Sequence, residues 1–423
     1  MVNLKENKHR TEHKQIESIP APKRAYISLN QQLKKSFSPL VKAGDQVLKG
    51  QKIASIKEGI YSAIHSPISG KIFSIQDSPH QVLGKGKAII IDNDFQEKSV
   101  ATYLRTQKEI DSLDAQELRA IIRETGIVGL GGAGFPSYIK LTPPRPIHTL
   151  IINGAECEPY LTCDYRIMLE KTEEIILGIG LIARCLGAKD IYIGIEDNKP
   201  KAIEKFRSKG QGLKVKVLKS FYPQGGEKQI IKNITNNEVE RGKLPFDSGV
   251  VVQNVGTALS IYEAVYLNKP LFERVMTVTG SCLVNPKNLK VCIGTPIKEL
   301  IDFCGPLKEN PAKIVIGGPM MGIAQNNVMT PVIKSTTGVI LFNKKEAQTT
   351  DEEPCIRCAA CVRECPVGLM PCMINLASIK QLWPQAKDFG ALDCIECGLC
   401  SYVCPANRRL VQSIKMAKLE AIV

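Results

Sequence analysis

Eight cysteines near the C-terminus carry the plainest chemistry in this 423-residue chain. They fall into two quartets, Cys355-x2-Cys358-x2-Cys361-x3-Cys365-Pro366 and Cys394-x2-Cys397-x2-Cys400-x3-Cys404-Pro405. That spacing lets one tight loop present three thiolates to a [4Fe–4S] cubane, while the fourth, ahead of the proline, ligates the other cluster. The expected ligand sets are Cys355, Cys358, Cys361 and Cys404 on one cluster, and Cys394, Cys397, Cys400 and Cys365 on the second. Structural zinc is the alternative, but zinc sites usually carry two well-separated C-x2-C pairs. Two clusters in one module imply an electron wire, and something must feed it.

A second centre lies at Gly129-Leu130-Gly131-Gly132-Ala133-Gly134-Phe135-Pro136. It matches G-x-G-x-x-G, but a dinucleotide fingerprint needs a strand before it and a helix after it. Here a helical pattern precedes, and Pro136 follows close behind the last glycine. The glycines still free backbone N–H groups to approach a phosphate or a flat ring. Phe135 could stack on that ring and Lys140 could meet an anion. A Gly-rich structural turn is the other reading, and the loop alone does not decide. Asn153, Glu156 and Glu158 follow the next strand, at a strand end suited to ring and ribose contacts. Tyr222, Gly225 and Glu227, then Gln253, Asn254 and Thr257, supply two more polar loops.

The elements that must hold these residues are legible in outline. Residues 1–35 are a basic, polar lead-in, expected to be partly disordered. Residues 36–100 read as short strands with glycine turns, resembling the biotinyl/lipoyl barrel-sandwich hybrid. Its hairpin tip falls near Gly59 and Ile60 with Lys57 offset, which predicts a structural domain rather than a swinging arm. His65 reads as a turn residue. Residues 101–265 alternate helix and strand: helix over Gln116–Glu124, strand over His148–Ile152, helix over Lys171–Cys185, strand over Asp190–Ile195. Residues 266–345 turn β-rich, and Asn343–Pro354 is a polar linker. In residues 346–423 the quartets repeat at an offset of 39 residues, with room between them for a helical insertion, and Leu410–Ala421 closes as a helix.

Composition excludes several classes. The longest apolar run, Ile175–Ala183, is far short of the ~20 residues a membrane span needs. The first fifteen residues have no apolar core, so no signal peptide is expected. The seven remaining cysteines are scattered, which suits a reducing cytosol. The net charge of +14 favours an acidic partner or anionic lipid. Lys and Arg are dispersed and aromatics are few, so nucleic acid is not an expected ligand. No Ser–His–Asp or Cys–His arrangement points to hydrolysis or acyl transfer.

Over nearly its whole length the chain resembles the RnfC subunits of the Rnf complex, the membrane-bound ferredoxin:NAD+ oxidoreductase. The phrases GLGGAGFP, LIINGAECEPYLT, GIEDNKPKAI, YPQGGEKQ, GGPMMG, CIRC and CIECGLCSYVCP carry the resemblance. Its α/β part is similar to the FMN-carrying, NADH-binding subunit of respiratory complex I. The resemblance implies a multidomain α/β protein: a barrel-sandwich hybrid, an FMN/NADH-binding domain, a β-grasp SLBB-like domain and a ferredoxin-like module with two [4Fe–4S] clusters. It implies noncovalent FMN at Gly129, Gly131, Gly132, Gly134, Lys140, Asn153, Glu156, Gly225, Gln253, Asn254 and Thr257. It implies NAD(H) at Phe135, Glu158 and Glu227, with Tyr222 between the two ligands. Complex I has an arginine where this chain has Leu130 and an aspartate where it has Ala155. The implied partners are the other Rnf membrane subunits and, indirectly, ferredoxin, with the chain peripheral on the cytoplasmic face. Rival readings are a soluble cobalamin reductase, an electron donor to an amino-acid reductase, and a relay that binds no nucleotide. In the cobalamin reductases the barrel-sandwich part follows the clusters, whereas here it precedes them.

Overall fold

The structure, a computed structural model, describes residues 2, 4–31, 37–56, 59, 61–101, 103–347 and 351–420. After β1 (Ile16–Ser18), seven strands build the first domain: β2 (Arg24–Ser28), β3 (Ser38–Pro39), β4 (Gln46–Val47), β5 (Lys52–Ser55), β6 (Ile64–His65), β7 (Gly70–His80) and β8 (Gly84–Asn93). Sheets β2-β8-β7-β4 and β3-β5-β6 share a core of Ile27, Ile53, Ile64, Ile72, Ile89 and Ile91. Gly70, at φ +154°, lies so close to β8 that a Cβ would meet the Asp92 carbonyl at 1.9 Å.

The second domain begins with α1 (Gln107–Ser112), α2 (Ala115–Glu124) and α3 (Ser137–Lys140). Asp114 opens α2 with a capping box: its carboxylate accepts from Glu117 N at 2.8 Å, and Glu117 accepts from Asp114 N at 2.7 Å. Then follow β9 (Thr149–Asn153), α4 (Cys163–Glu170), α5 (Thr172–Leu186), β10 (Asp190–Glu196), α6 (Pro200–Lys209), β11 (Lys214–Leu218), α7 (Glu227–Thr235), β12 (Val250–Asn254) and α8 (Val255–Tyr266). The four strands are all parallel, in the order β11-β10-β9-β12. The chain leaves β9 toward one edge and returns to its other side, so a crevice opens at the C-terminal ends of β9 and β12. Helices α5 and α8 touch backbone to backbone, since a Cβ on Gly178 would sit 2.0 Å from Ala258 O.

The third domain has β13 (Glu273–Thr279), β14 (Lys287–Cys292), α9 (Ile297–Phe303), β15 (Lys313–Ile316), β16 (Ile323–Gln325) and β17 (Gly338–Phe342). Its sheet runs β1-β14-β13-β17-β15-β16, with β1 parallel to β14. The C-terminal module holds α10 (Ala360–Arg363), α11 (Pro371–Ile379), α12 (Trp383–Asp388), α13 (Leu399–Tyr402) and α14 (Leu410–Glu420).

Two expectations need correction. Among its described residues the lead-in is not disordered: β1 joins the third domain's sheet, and Lys8, Arg10 and Thr11 bond into the neighbouring domains. Its charges find carbonyl partners rather than water. His65 is not a turn residue but lies buried in β6 opposite Lys52, its pKa lowered to about 3 by burial and then by Lys334 and Lys52. Lys57 and Ile60 at the hairpin tip, part of the linker (348–350) and Ala421 lie outside the described residues.

Three domains meet at Lys334, which is 1 % exposed. Its ammonium donates to Ala63 O and Gly126 O, both at 2.7 Å. Burial lowers its pKa from 10.5 to about 7. The unfolded chain therefore binds more protons between those values, so this group's contribution to stability rises with pH across that window. Lys334→Met should abolish that rise and, by orphaning two buried carbonyls, cost about 2 kcal/mol; thermal unfolding at pH 7 and at about pH 10 checks both.

Candidate functional site

The glycine loop is pinched at its base. Val128 and Pro136 pair as an antiparallel bridge, Gly129 N donates to Phe135 O at 2.8 Å, and Gly134 N donates to Gly129 O at 3.2 Å. Gly131, Gly132 and Ala133 form an exposed tip. Leu130 N donates to Thr257 Oγ1 at 3.0 Å, which lays the loop across the first turn of α8. Asn153 and Asn254 end adjacent strands in register. Asn153 Nδ2 donates to Gly225 O at 2.9 Å, bringing the loop before α7 to the same place. Lys140 Nζ donates to Glu227 at 2.5 Å and to Val252 O at 2.7 Å. The structure thus brings Gly129–Phe135, Lys140, Asn153, Gly225, Glu227, Asn254 and Thr257 around one crevice. Gln253 stands beside it at 2 % exposure with no partner for its Nε2.

The carboxylates behind the crevice are already engaged. Glu156 accepts from Asp164 N at 2.9 Å and Tyr165 N at 3.3 Å, capping α4. Glu158 accepts from Met320 N at 3.1 Å and Met321 N at 2.9 Å in the third domain. Burial pushes Glu158 up to about 7 against the pull of those amides and of Lys8. Tyr222, 2 % exposed, donates its hydroxyl to Cys397 O at 2.7 Å. Sequence reasoning missed Asp164, whose carboxylate accepts from Asn254 Nδ2 at 2.7 Å, and Arg274, a buried cation beside Asp164 that donates to Leu130 O at 3.4 Å. No local pattern marks either; the third domain brings Arg274 to the loop that lacks an arginine of its own.

The cysteine loops repeat in conformation as in sequence. Arg357 and Glu396 are left-handed at φ 56° and 58°, and Ala359 and Gly398 follow at 58° and 82°. Each loop runs into a one-turn helix, α10 or α13. Burial raises Cys397 to about 11 and Cys400 to about 12, and Cys365 and Cys394 add repulsion to both. Burial raises Cys361 to about 11, with Cys372 and Cys404 adding to it. Cys365 therefore lies with the second triad and Cys404 with the first. Four buried soft sulfurs held together in this way call for a thiophilic cation. Amides already point at sulfur: Leu369 N donates to Cys365 and Glu396 N to Cys394, both at 3.3 Å.

Comparison with known proteins fits this division. Residues 2–96 match the RnfC barrel sandwich hybrid domain and 122–263 the Nuo51 FMN-binding domain. Residues 275–324 match the SLBB domain and 347–405 the 4Fe-4S dicluster domain. The chain is 44 % identical to the RnfC-type subunit of the proton-translocating ferredoxin:NAD(+) oxidoreductase complex of Clostridium ljungdahlii, over 99 % of this chain and 93 % of that one. It belongs to the RnfC family. The counterpart from the Na(+)-translocating complex of Acetobacterium woodii is 38 % identical over 95 % of this chain and 91 % of its own. The counterpart from an ion-translocating oxidoreductase complex of Rhodobacter capsulatus is 41 % identical, over 99 % and 82 %. In fold alone, the chain is similar to a crystal structure of an NAD+-reducing [NiFe]-hydrogenase, with TM-score 0.51 and 16 % identity, over 77 % of this chain and 69 % of that one.

The cofactors of an RnfC protein suit these centres. Bare peptide at Gly131 and Gly132 admits a flat ring, and Gln253 Nε2 is a buried donor without a partner. A Cβ at Gly131 would meet Asn254 at 3.5 Å, an ordinary contact. Gly131→Val should therefore fold with its iron intact yet lose most of its flavin; absorbance and iron assay of the purified protein check this.

Proposed function

We propose that this chain passes electrons between NAD(H) and the ferredoxin side of an ion-translocating Rnf complex, through FMN and two [4Fe–4S] clusters. The observation that carries the reading is how the iron–sulfur module sits on the flavin domain. Tyr222 Oη donates to Cys397 O and Gln229 Nε2 donates to Pro366 O, both at 2.7 Å. Arg241 pairs with Asp393. All three contacts reach the loops that carry Cys365, Cys394, Cys397 and Cys400, and Tyr222 and Gln229 flank the segment that supplies Gly225 and Glu227.

FMN, when bound, exchanges hydride with NAD(H) as an electron pair and exchanges single electrons with clusters. The chain's part is positional. The glycine tip and Gln253 would seat the flavin, with Lys140 and Asn254 at the crevice walls. Phe135, Glu158 and Glu227 would stand on the nicotinamide side. The Cys365/394/397/400 cluster would be the inner one, next to Tyr222. The Cys355/358/361/404 cluster would be the outer one, because Cys355 and Cys358 are exposed and Ile356 beside them is 67 % exposed.

No described helix is long and apolar enough to cross a membrane. Attachment on the cytoplasmic face is therefore assigned to partner subunits, helped by the chain's positive charge. Washing complex-bearing membranes should release more of it as salt shortens the Debye length from about 10 Å at 0.1 M to 3 Å at 1 M. Insensitivity to salt would assign the attachment to apolar contacts.

Anaerobically purified protein should carry about eight iron per chain. In Cys355→Ser, NADH should still reduce the inner cluster, read by electron paramagnetic resonance. In Cys394→Ser, NADH should reduce flavin but neither cluster. The opposite pattern would reverse the order of the clusters, and no flavin reduction by NADH in the unaltered protein would overturn the functional reading.

A further inference from the structure

Lys8 lies in the polar lead-in, far in sequence from every group discussed above, yet it is 6 % exposed. Its ammonium donates to Glu156 O at 2.7 Å, Glu158 O at 2.9 Å and Leu161 O at 2.6 Å. Three N–H bonds meet three carbonyls of one loop, a geometry that suits a compact ammonium and not the planar fork of arginine. A buried cation costs several kcal/mol unless it is this well paired.

The loop it holds does not hold itself. Tyr160 sits at φ 68°, a left-handed conformation costly for a large side chain. Tyr160 N donates to Glu6 O at 2.7 Å, and Asn198 Nδ2 to Glu6 Oε1 at 2.7 Å, so the lead-in also ties this loop to the one after β10. Beneath lies a cavity of about 20 Å³, lined by Lys8, Glu156, Cys157, Glu196 and Tyr222 among others. That is room for one water and little movement. The same loop carries Glu156 on the helix α4 end and Glu158 on the third domain.

We propose that Lys8 is a positioning residue for nucleotide binding: its ammonium locks the Glu156–Leu161 loop through three carbonyls and thereby fixes the wall on which NAD(H) docks. The inference rests on the NAD(H) reading above. Lys8 touches neither ligand and acts only through the loop.

The test compares Lys8→Met, Lys8→Arg and Thr11→Val in the full chain loaded with flavin and clusters. Thr11→Val is the control, since it cuts the lead-in's bond to Thr162 (2.8 Å) and leaves the three carbonyls of the loop alone. In Lys8→Met the Kd for NAD+ by calorimetry and the KM for NADH should rise about tenfold, or ~1.4 kcal/mol. Flavin and iron per chain and kcat with an artificial acceptor should stay within about twofold, the signature of lost uniform binding. Amide exchange at Tyr160, Asp164 and Tyr165 should quicken. Lys8→Arg should fall between Lys8→Met and the unaltered protein, and it carries the test if Lys8→Met does not fold. Unchanged Kd and KM, or a loss confined to kcat or to flavin, would overturn the role. So would an equal effect of Thr11→Val, which would assign it to the lead-in as a whole. Absence of NADH oxidation in the unaltered protein would instead remove the functional reading on which this rests.

Discussion

A loop that leaves water must find a partner for every N–H and C=O it carries, and the segment after β9 cannot do so alone. Its carbonyls at Glu156, Glu158 and Leu161 are satisfied by Lys8 from the lead-in. The carboxylate of Glu158 is satisfied by Met320 N and Met321 N from the third domain. Glu156 turns inward to cap α4. One short stretch of buried polar backbone therefore fixes the lead-in, the SLBB domain and the flavin domain against one another. The rest of the site inherits its geometry from that demand.

Lys334 extends the same logic to the barrel-sandwich domain. A buried ammonium between Ala63 O and Gly126 O ties the first domain to the turn that ends α2, just ahead of the glycine loop. Arg274 stands next along, donating to Lys334 O and Leu130 O. The flavin loop is thus braced from behind by two cations that belong to another domain. A loop with bare glycines at its tip would otherwise lose much backbone entropy on ordering, and the bracing confines that freedom to the exposed tip.

The iron–sulfur module is fixed by contacts to backbone rather than to side-chain tips. Tyr222 and Gln229 grip the carbonyls of Cys397 and Pro366, and Leu4, Tyr222, Cys397 and Leu399 form a small apolar cluster at the same seam. Backbone carbonyls in a ligand loop move only if the loop moves, so this docking sets the distance between centres. Electron transfer needs such fixed spacing and little side-chain chemistry, which accords with the lack of any nucleophile–base pair in the sequence.

The sequence by itself determined what is local. Cysteine spacing, the glycine run and the capping residues Asp114 and Gly187 act within a few residues of themselves, so the cluster loops, the flavin loop and most helix ends were legible. The left-handed positions of the two cysteine loops follow the 39-residue repeat. Only the tertiary structure decided where the lone charges go. Lys8, His65, Asp164, Arg274 and Lys334 carry no local signal, because most of their partners lie between 60 and 271 residues away in the chain. Polar residues of the lead-in read as solvated from sequence, since hydrophilicity reports affinity for hydrogen-bond partners and not whether water or buried carbonyls supply them. That choice depends on which carbonyls folding removes from water, and only the packed domains fix it.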